Sequence, residues 1–423
     1  MTSLVLISLA AILMWSLIAH RFERWGVATP AALLLLGAAT VAWDVEAFSA
    51  VIDSELAEKT VEIILAVLLF VDATEVRGGV FGKEGKVIAR LVLLALPLSL
   101  ALALVSGILL LPHAGLLVLA VIACVIMPVD FAPAARLLRG GGVSPRARQI
   151  LNVESGYNDG VISPVFGMSL ALAVFWTTIS RTPESELTEE SVEKPVLDFL
   201  EAFAGAVPST LFAIFIGITL GCAVGFAVRV ARRHDVASAV GARYVMLLLP
   251  LIAYGVAALP MFAANGFVAA FVAGVGYRLT RVRSAEETAI DHSELLLVDE
   301  VGSLAANFVW FMLGGAVVIV FAAGVDWRIV LLAVLALTLI RVLPVYLSLM
   351  GSTVTRKDRV LIGALGPRGT ATIVFGLLAY NALPDDEGTI VLSVMVVTVV
   401  GSILLHGVAA PLMLRRWDAA LRA

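Results

Sequence analysis

Charge is the first thing this sequence lacks. Asp, Glu, Lys and Arg make up 15% of its 423 residues, where an ordinary soluble domain carries roughly 25%. With 61% hydrophobic residues and a mean hydropathy of +1.02, that scarcity excludes a string of soluble domains, whose surfaces it could not cover. Cysteine is nearly absent. Cys124 and Cys222 both fall inside apolar runs; they exclude a disulfide framework or a cysteine metal site and read as packing residues. No basic stripe exists either, and a net charge of −4 leaves no footprint for nucleic acid. The first apolar run, 3–19, has neither a basic start nor a small-residue cleavage site, so it reads as a true span and not a cleaved leader. No residue pattern calls for a cofactor.

What the chain has instead is a succession of apolar runs, each near the ~20 residues that a bilayer-spanning helix needs. Runs and breakers give thirteen spans in one all-α polytopic membrane domain, 1–423. They are 3–20, 27–43, 60–77, 87–111, 115–138, 146–176, 202–230, 241–260, 262–279, 294–322, 328–350, 359–381 and 388–415. Around Pro260 only a tight turn separates two of them. The basic residues test this count independently. With the N-terminus outside and the C-terminus inside, inside loops receive 23 of the 29 Lys and Arg residues. One inside cluster is Arg278, Arg281 and Arg283, while outside loops hold only Lys59, Arg181, Lys194 and Arg328. That bias follows the positive-inside rule, and one miscounted helix would scramble it. The longest outside loop, about 177–201, is acidic and reads as a solvated connector. The chain ends soon after the last run, so no soluble regulatory domain is expected.

A second regularity concerns symmetry. Spans 1–6 and 8–13 form two six-helix halves, and the odd joint between them makes the halves face opposite ways, an inverted repeat. The fifth span of the first half is broken by Pro128 and Pro133, and that of the second by Gly366-Pro367 and Gly369. Interrupted helices at corresponding positions point to a transporter's binding site. A proline inside a helix removes a hydrogen bond and frees a carbonyl, which can then face a cation.

Ionisable residues at membrane depth are costly and functional by default. Six stand there: Asp72, Asp130, Glu154, Asp159, Arg341 and Arg368. Asp299 and Glu300 lie near the start of their span and fit an inside vestibule. A short basic loop joins the spans of Asp130 and Asp159 and would let the two carboxylates meet near mid-membrane. Two carboxylates in a low dielectric resist being ionised together. Such a site holds a proton or a desolvated alkali cation but not both, which is the minimal physics of an exchanger. Asp130 alone would also serve as a helix cap at its break. Glu154 suits an ion pair with Arg341 or Arg368, because buried charges persist when paired. Asn158 cannot titrate, and its amide suits the freed backbone of a broken helix. Gly156 and Gly160 form a small-xxx-small step for close helix approach.

These residues resemble a family. Glu154-Ser155-x-x-Asn158-Asp159 is similar to the signature of the monovalent cation:proton antiporters, in the electroneutral sodium/proton branch. Further landmarks follow in order: Leu68 to Asp72, Asn265 to Gly274, Arg341 with Pro344-Val345, Gly366-Pro367-Arg368-Gly369, and Ser402 to Gly407. Any one is weak, and the ordered set is specific. The resemblance implies that Asp159 is the principal ion- and proton-binding carboxylate and Asp130 its partner at two crossing broken helices. Ser155, Asp72 and the Val129 backbone carbonyl would complete the shell around Na+. Asn158, where a second aspartate could stand, would mark one-for-one exchange. Glu154 would pair with Arg341, and Arg368 would balance charge at its own break. The resemblance also implies a homodimer in the cell membrane serving pH homeostasis. Its moving core would be about 87–176 and 328–415, and its scaffold about 3–77 and 202–322.

One departure stands out. The family has Thr-Asp-Pro where this chain has Val129-Asp130-Phe131, so a hydroxyl is lost, and affinity or ion preference could differ from the family's usual Na+ and Li+; a K+/H+ exchanger on the same scaffold is the alternative. Two other classes would also use mid-membrane acids. An intramembrane aspartyl protease needs a Gly-Asp motif on a later helix, which Asp130 and Asp159 do not supply. A passive cation channel would not couple two fluxes.

Overall fold

The computed structural model describes residues 2–25, 27–42, 45, 48, 52, 54–76, 80–81, 83–134, 143–181, 189–282 and 290–410, and every regular element among them is helical. The first seven helices are α1 (Thr2–Trp25), α2 (Thr29–Val41), α3 (Glu55–Glu75), α4 (Gly85–Leu110), α5 (Leu116–Ile126), α6 (Pro145–Arg181) and α7 (Glu189–Arg233). There follow α8 (Ala239–Ala257), α9 (Gly266–Arg281), α10 (His292–Ala323), α11 (Trp327–Ser348), α12 (Arg356–Ala364) and α13 (Thr370–Ala382). The last, α14 (Asp385–Ser402), continues as a π-helical turn over Ile403–Ala409.

Each of the thirteen apolar segments contains a helix. Among the described residues, eight helices are long and apolar enough to cross a membrane: α1, α4, α6, α7, α8, α10, α11 and α14. The others are short, as α2, α5, α9 and α13 are, or carry several charges, as α3 does.

Several boundaries differ from the hydropathy reading, each for a local reason. Helix α9 begins at Gly266, well past Pro260, because the Asn265 side chain caps it by accepting the Phe267 and Val268 N–H groups. The acidic segment is not all loop. Glu189, Glu190, Glu193, Asp198 and Glu201 lie in α7; Glu184 and Glu186 lie outside the described residues. Arg278 is no loop residue. It sits inside α9, 2% exposed, and its guanidinium donates to the carbonyls of Val76 at 2.7 Å and Val80 at 3.0 Å.

Contacts divide the chain into two compact units. The first holds Met1–Val61, Arg90–Ser155 and Ala305–Ala423. Here α2 and α10 pack backbone against backbone: a Cβ on Gly37 would stand 2.0 Å from the Phe311 carbonyl oxygen, and one on Gly314 would stand 2.2 Å from that of Leu34. Helices α5 and α13 are buried nearly all round, which is why their sequences read as continuous apolar runs. The second unit holds Glu62–Ala89 and Gly156–Leu304. Its seam is a glycine at every fourth position of α7. Cβ atoms on Gly217 and Gly221 would come within 2.6 and 2.2 Å of the Ala269 and Ala273 carbonyl oxygens of α9. Neither Cys124 nor Cys222 is in a disulfide.

Candidate functional site

In the first unit the unwound end of α5 meets the break between α12 and α13; positions 135–138 of the fifth apolar segment lie outside the described residues. Helix α5 stops at Ile126, and a 3-10 turn at Ala132–Ala134 follows it. Helices α12 and α13 are separated by residues 365–369. The unwound stretches bond to each other, with the Asp130 N–H donating to the Pro367 carbonyl at 2.9 Å. Asp130 Oδ2 accepts the Thr370 N–H and the Thr370 hydroxyl, both at 2.8 Å, and Oδ1 accepts the Ala132 N–H at 2.7 Å. The carboxylate therefore caps the positive end of α13. Only glycine fits at 369, where a Cβ would lie 2.3 Å from Asp130 Oδ2. A carboxylate offers about four lone-pair sites, so three donors leave one direction at Oδ1 for a further partner. The cap and the binding role that the sequence offers as alternatives for Asp130 are compatible.

Arg368 is fully buried and serves more than its own break. Its guanidinium donates to the carbonyls of Met127 at 3.0 Å, Pro128 at 3.1 Å and Ala336 at 3.1 Å. Two carbonyls freed at the end of α5 thus already face a cation, and that cation is a side chain. The buried Val129 supplies the next carbonyl along the chain. Ala336 marks an interruption that no proline or glycine announces: α11 breaks at Thr338, with φ −124 and ψ −95. The Thr338 hydroxyl bonds back to the Val334 carbonyl at 2.6 Å. Side chains inserted into the ladder on both sides account for the kink.

Glu154 and Arg341 form a bidentate pair at 3.1 and 2.9 Å, both about 6% exposed. This is the partner the resemblance implies for Glu154, and it leaves Arg368 to the backbone. The Ser155 hydroxyl donates to the Asn152 carbonyl at 3.2 Å, one turn back, and its lone pairs stay available.

The second unit holds the remaining candidates. Asp159 and Asn158 are 5% and 2% exposed on α6. Asp72, half-buried on α3, seats against Gly156, where a Cβ would lie 3.1 Å from the Asp72 Cβ. Gly156 and Asp159 are three residues apart and share a helix face. Gly160 faces the Phe271 ring, and a Cβ there would lie 2.8 Å from the ring Cγ. The small-xxx-small pair thus admits one carboxylate and one aromatic ring. The Tyr157 hydroxyl donates to the Val80 carbonyl, next to Arg278. Glu294, fully buried, takes Arg281 Nε at 3.2 Å. Sequence reasoning missed Thr370, though a threonine directly after a Gly-Pro-Arg-Gly break carries a capping signal.

Comparisons with known proteins bear on what this arrangement does. The profile of the family described as sodium/hydrogen exchanger, transmembrane, matches residues 5–416. A curated relative, the Na(+)/H(+) antiporter of Schizosaccharomyces pombe, is 24% identical over 341 residues, which cover 77% of this chain and 67% of the relative. Among solved structures, the sodium proton antiporter MjNhaP1 from Methanocaldococcus jannaschii at pH 8 superposes with a TM-score of 0.71 and 19% identity, covering 95% of this chain and 97% of that one. An electron-microscopy structure of the same antiporter gives a TM-score of 0.64, again at 19% identity, with 98% of each chain covered. These structural likenesses speak to the fold. The family match spans nearly the whole sequence, and the chain therefore belongs to the sodium/hydrogen exchanger family, as a multi-pass integral membrane transporter and not an enzyme.

Proposed function

We propose that the protein exchanges Na+ or Li+ for H+ across the cell membrane, one for one. The observation that carries the reading is Asp159, a carboxylate 5% exposed in α6 of a sodium/hydrogen exchanger family member. Its neighbour is the untitratable Asn158. A carboxylate in that setting is neutralised by a proton or by a desolvated cation, and the two compete. In this proposal Ser155, Asp72, Asp130 and the Val129 carbonyl complete the cation's shell. Asn158, Glu154, Arg341 and Arg368 hold the surrounding helices. Whichever species is bound crosses with an elevator-like movement of the core, about 87–176 and 328–415, against the scaffold. Thirteen crossings with the N-terminus outside, inverted repeats and a homodimer belong to the same proposal.

A second reading, K+/H+ exchange on the same scaffold, is favoured by one observation. Val129 stands where the family has threonine, so a hydroxyl is missing beside Asp130. Proteoliposomes carrying a pH-sensitive dye separate the two. Addition of Li+ or Na+ should release trapped protons, while K+ and Rb+ should not; the reverse order would establish the potassium reading. Clamping the membrane potential with valinomycin should leave the Na+-driven rate unchanged. A rate that follows the potential contradicts one-for-one exchange.

A further inference from the structure

The break between α12 and α13 lacks a specific hydrogen bond. In a continuous helix the Arg368 N–H would donate to the Ala364 carbonyl, four residues back. Ala364 is the last residue of α12, and that bond is gone. Both of its ends are occupied by the last helix instead. The Arg368 N–H donates to Ser402 Oγ at 2.7 Å. Nε2 of His406 lies 3.1 Å from the Ala364 carbonyl oxygen. Ser402 Oγ and His406 Nδ1 are 3.3 Å apart, and both side chains are buried, at 0% and 1% exposure.

The donors and acceptors permit a single order in the neutral ring. A carbonyl only accepts, so Nε2 carries the hydrogen and Nδ1 is left with a lone pair. Ser402 already accepts from Arg368, so its hydroxyl hydrogen turns to Nδ1. The chain of bonds runs Arg368 N–H to Ser402 O–H to His406, and from Nε2–H to the Ala364 carbonyl. The π-helical turn Ile403–Ala409 holds this histidine. A π turn takes one more residue than an α turn and often marks functional positions.

We infer that Ser402 and His406 are positioning residues that stand in for the missing helical hydrogen bond and hold the break open. Through Arg368 they fix the Met127 and Pro128 carbonyls. Through the adjoining residues they fix Pro367 and Thr370, the partners of Asp130. The inference deepens the proposed function, on which its transport test rests.

The test combines transport with a readout that needs none. In the dye assay, Ser402→Ala and His406→Leu should each raise the half-saturating Na+ concentration by about tenfold, the scale of one buried hydrogen bond. Because the two act as one unit, the double variant should match the worse single one. Additive effects, or an unchanged Na+ dependence in either variant, would overturn the inference. The second readout is 15N NMR of histidine-labelled wild-type protein in nanodiscs, with the His406 signals identified by elimination, through variants of the other four histidines, His20, His113, His234 and His292. The Nε2–H tautomer is expected, and finding the Nδ1–H tautomer overturns the wire even if the Ser402 and His406 variants fail to fold. Should the wild type move no Na+ at all, the transport reading falls, and the tautomer still decides the wire.

Discussion

A carboxylate buried among apolar helices has to be stabilised by something, and the acids around the signature stretch are stabilised differently. Asp130 takes three donors at a helix start. Glu154 takes both arms of Arg341. Asp159, buried beside Asn158 on α6, is the one to which the proposed exchange gives a mobile cation. The Glu154 pair gives a prediction at this scale. Breaking a buried pair by removing one partner strands the other charge and costs ~3–5 kcal/mol, while replacing both with apolar groups of similar size is often neutral. Glu154→Ala should therefore destabilise the protein in micelle denaturation far more than Glu154→Leu with Arg341→Met. Equal losses would show that the pair does not hold α6 to α11. Much of this was legible in the sequence, since charged residues inside apolar runs are few. What the sequence left open was which arginine Glu154 takes and how far Arg368 reaches. Both depend on segments far apart in the chain, and local pattern carries no record of them.

Among the helices, legibility follows chemistry. The breaks at Pro128 and at Gly366-Pro367 announce themselves, because proline and glycine act on their own backbone. The break at Thr338 does not, because it turns on a guanidinium arriving from Arg368 beside a threonine hydroxyl bonded back to Val334. Arg278 departs from the hydropathy reading for a related reason. Hydropathy puts an arginine near a helix end in a loop, while the structure uses it to satisfy the Val76 and Val80 carbonyls. The α7–α9 seam offers a test. A Cβ on Gly221 would stand 2.2 Å from the Ala273 oxygen, while nothing lies within 4 Å of one on Gly255 in α8. Gly221→Ala should cost ~1–3 kcal/mol by overpacking. Gly255→Ala should be neutral or stabilising by up to ~1 kcal/mol, through helix propensity. Thermal unfolding in detergent ranks the two variants. A Gly221→Ala protein as stable as the Gly255→Ala one would mean that the helices are not in backbone contact there.

At the scale of the whole molecule, the scarcity of charge marks the chain as a membrane protein. A chain with 15% charged residues keeps its few buried charges where they act, and the family match over residues 5–416 says what kind of action that is. The central claim is that one carboxylate, Asp159, is where Na+ and H+ compete. Its most direct test is Asp159→Asn in proteoliposomes with a trapped pH dye. The account predicts that the variant inserts and folds as the wild type does, yet gives no Na+-driven proton movement in either direction. Wild-type exchange by Asp159→Asn would contradict it.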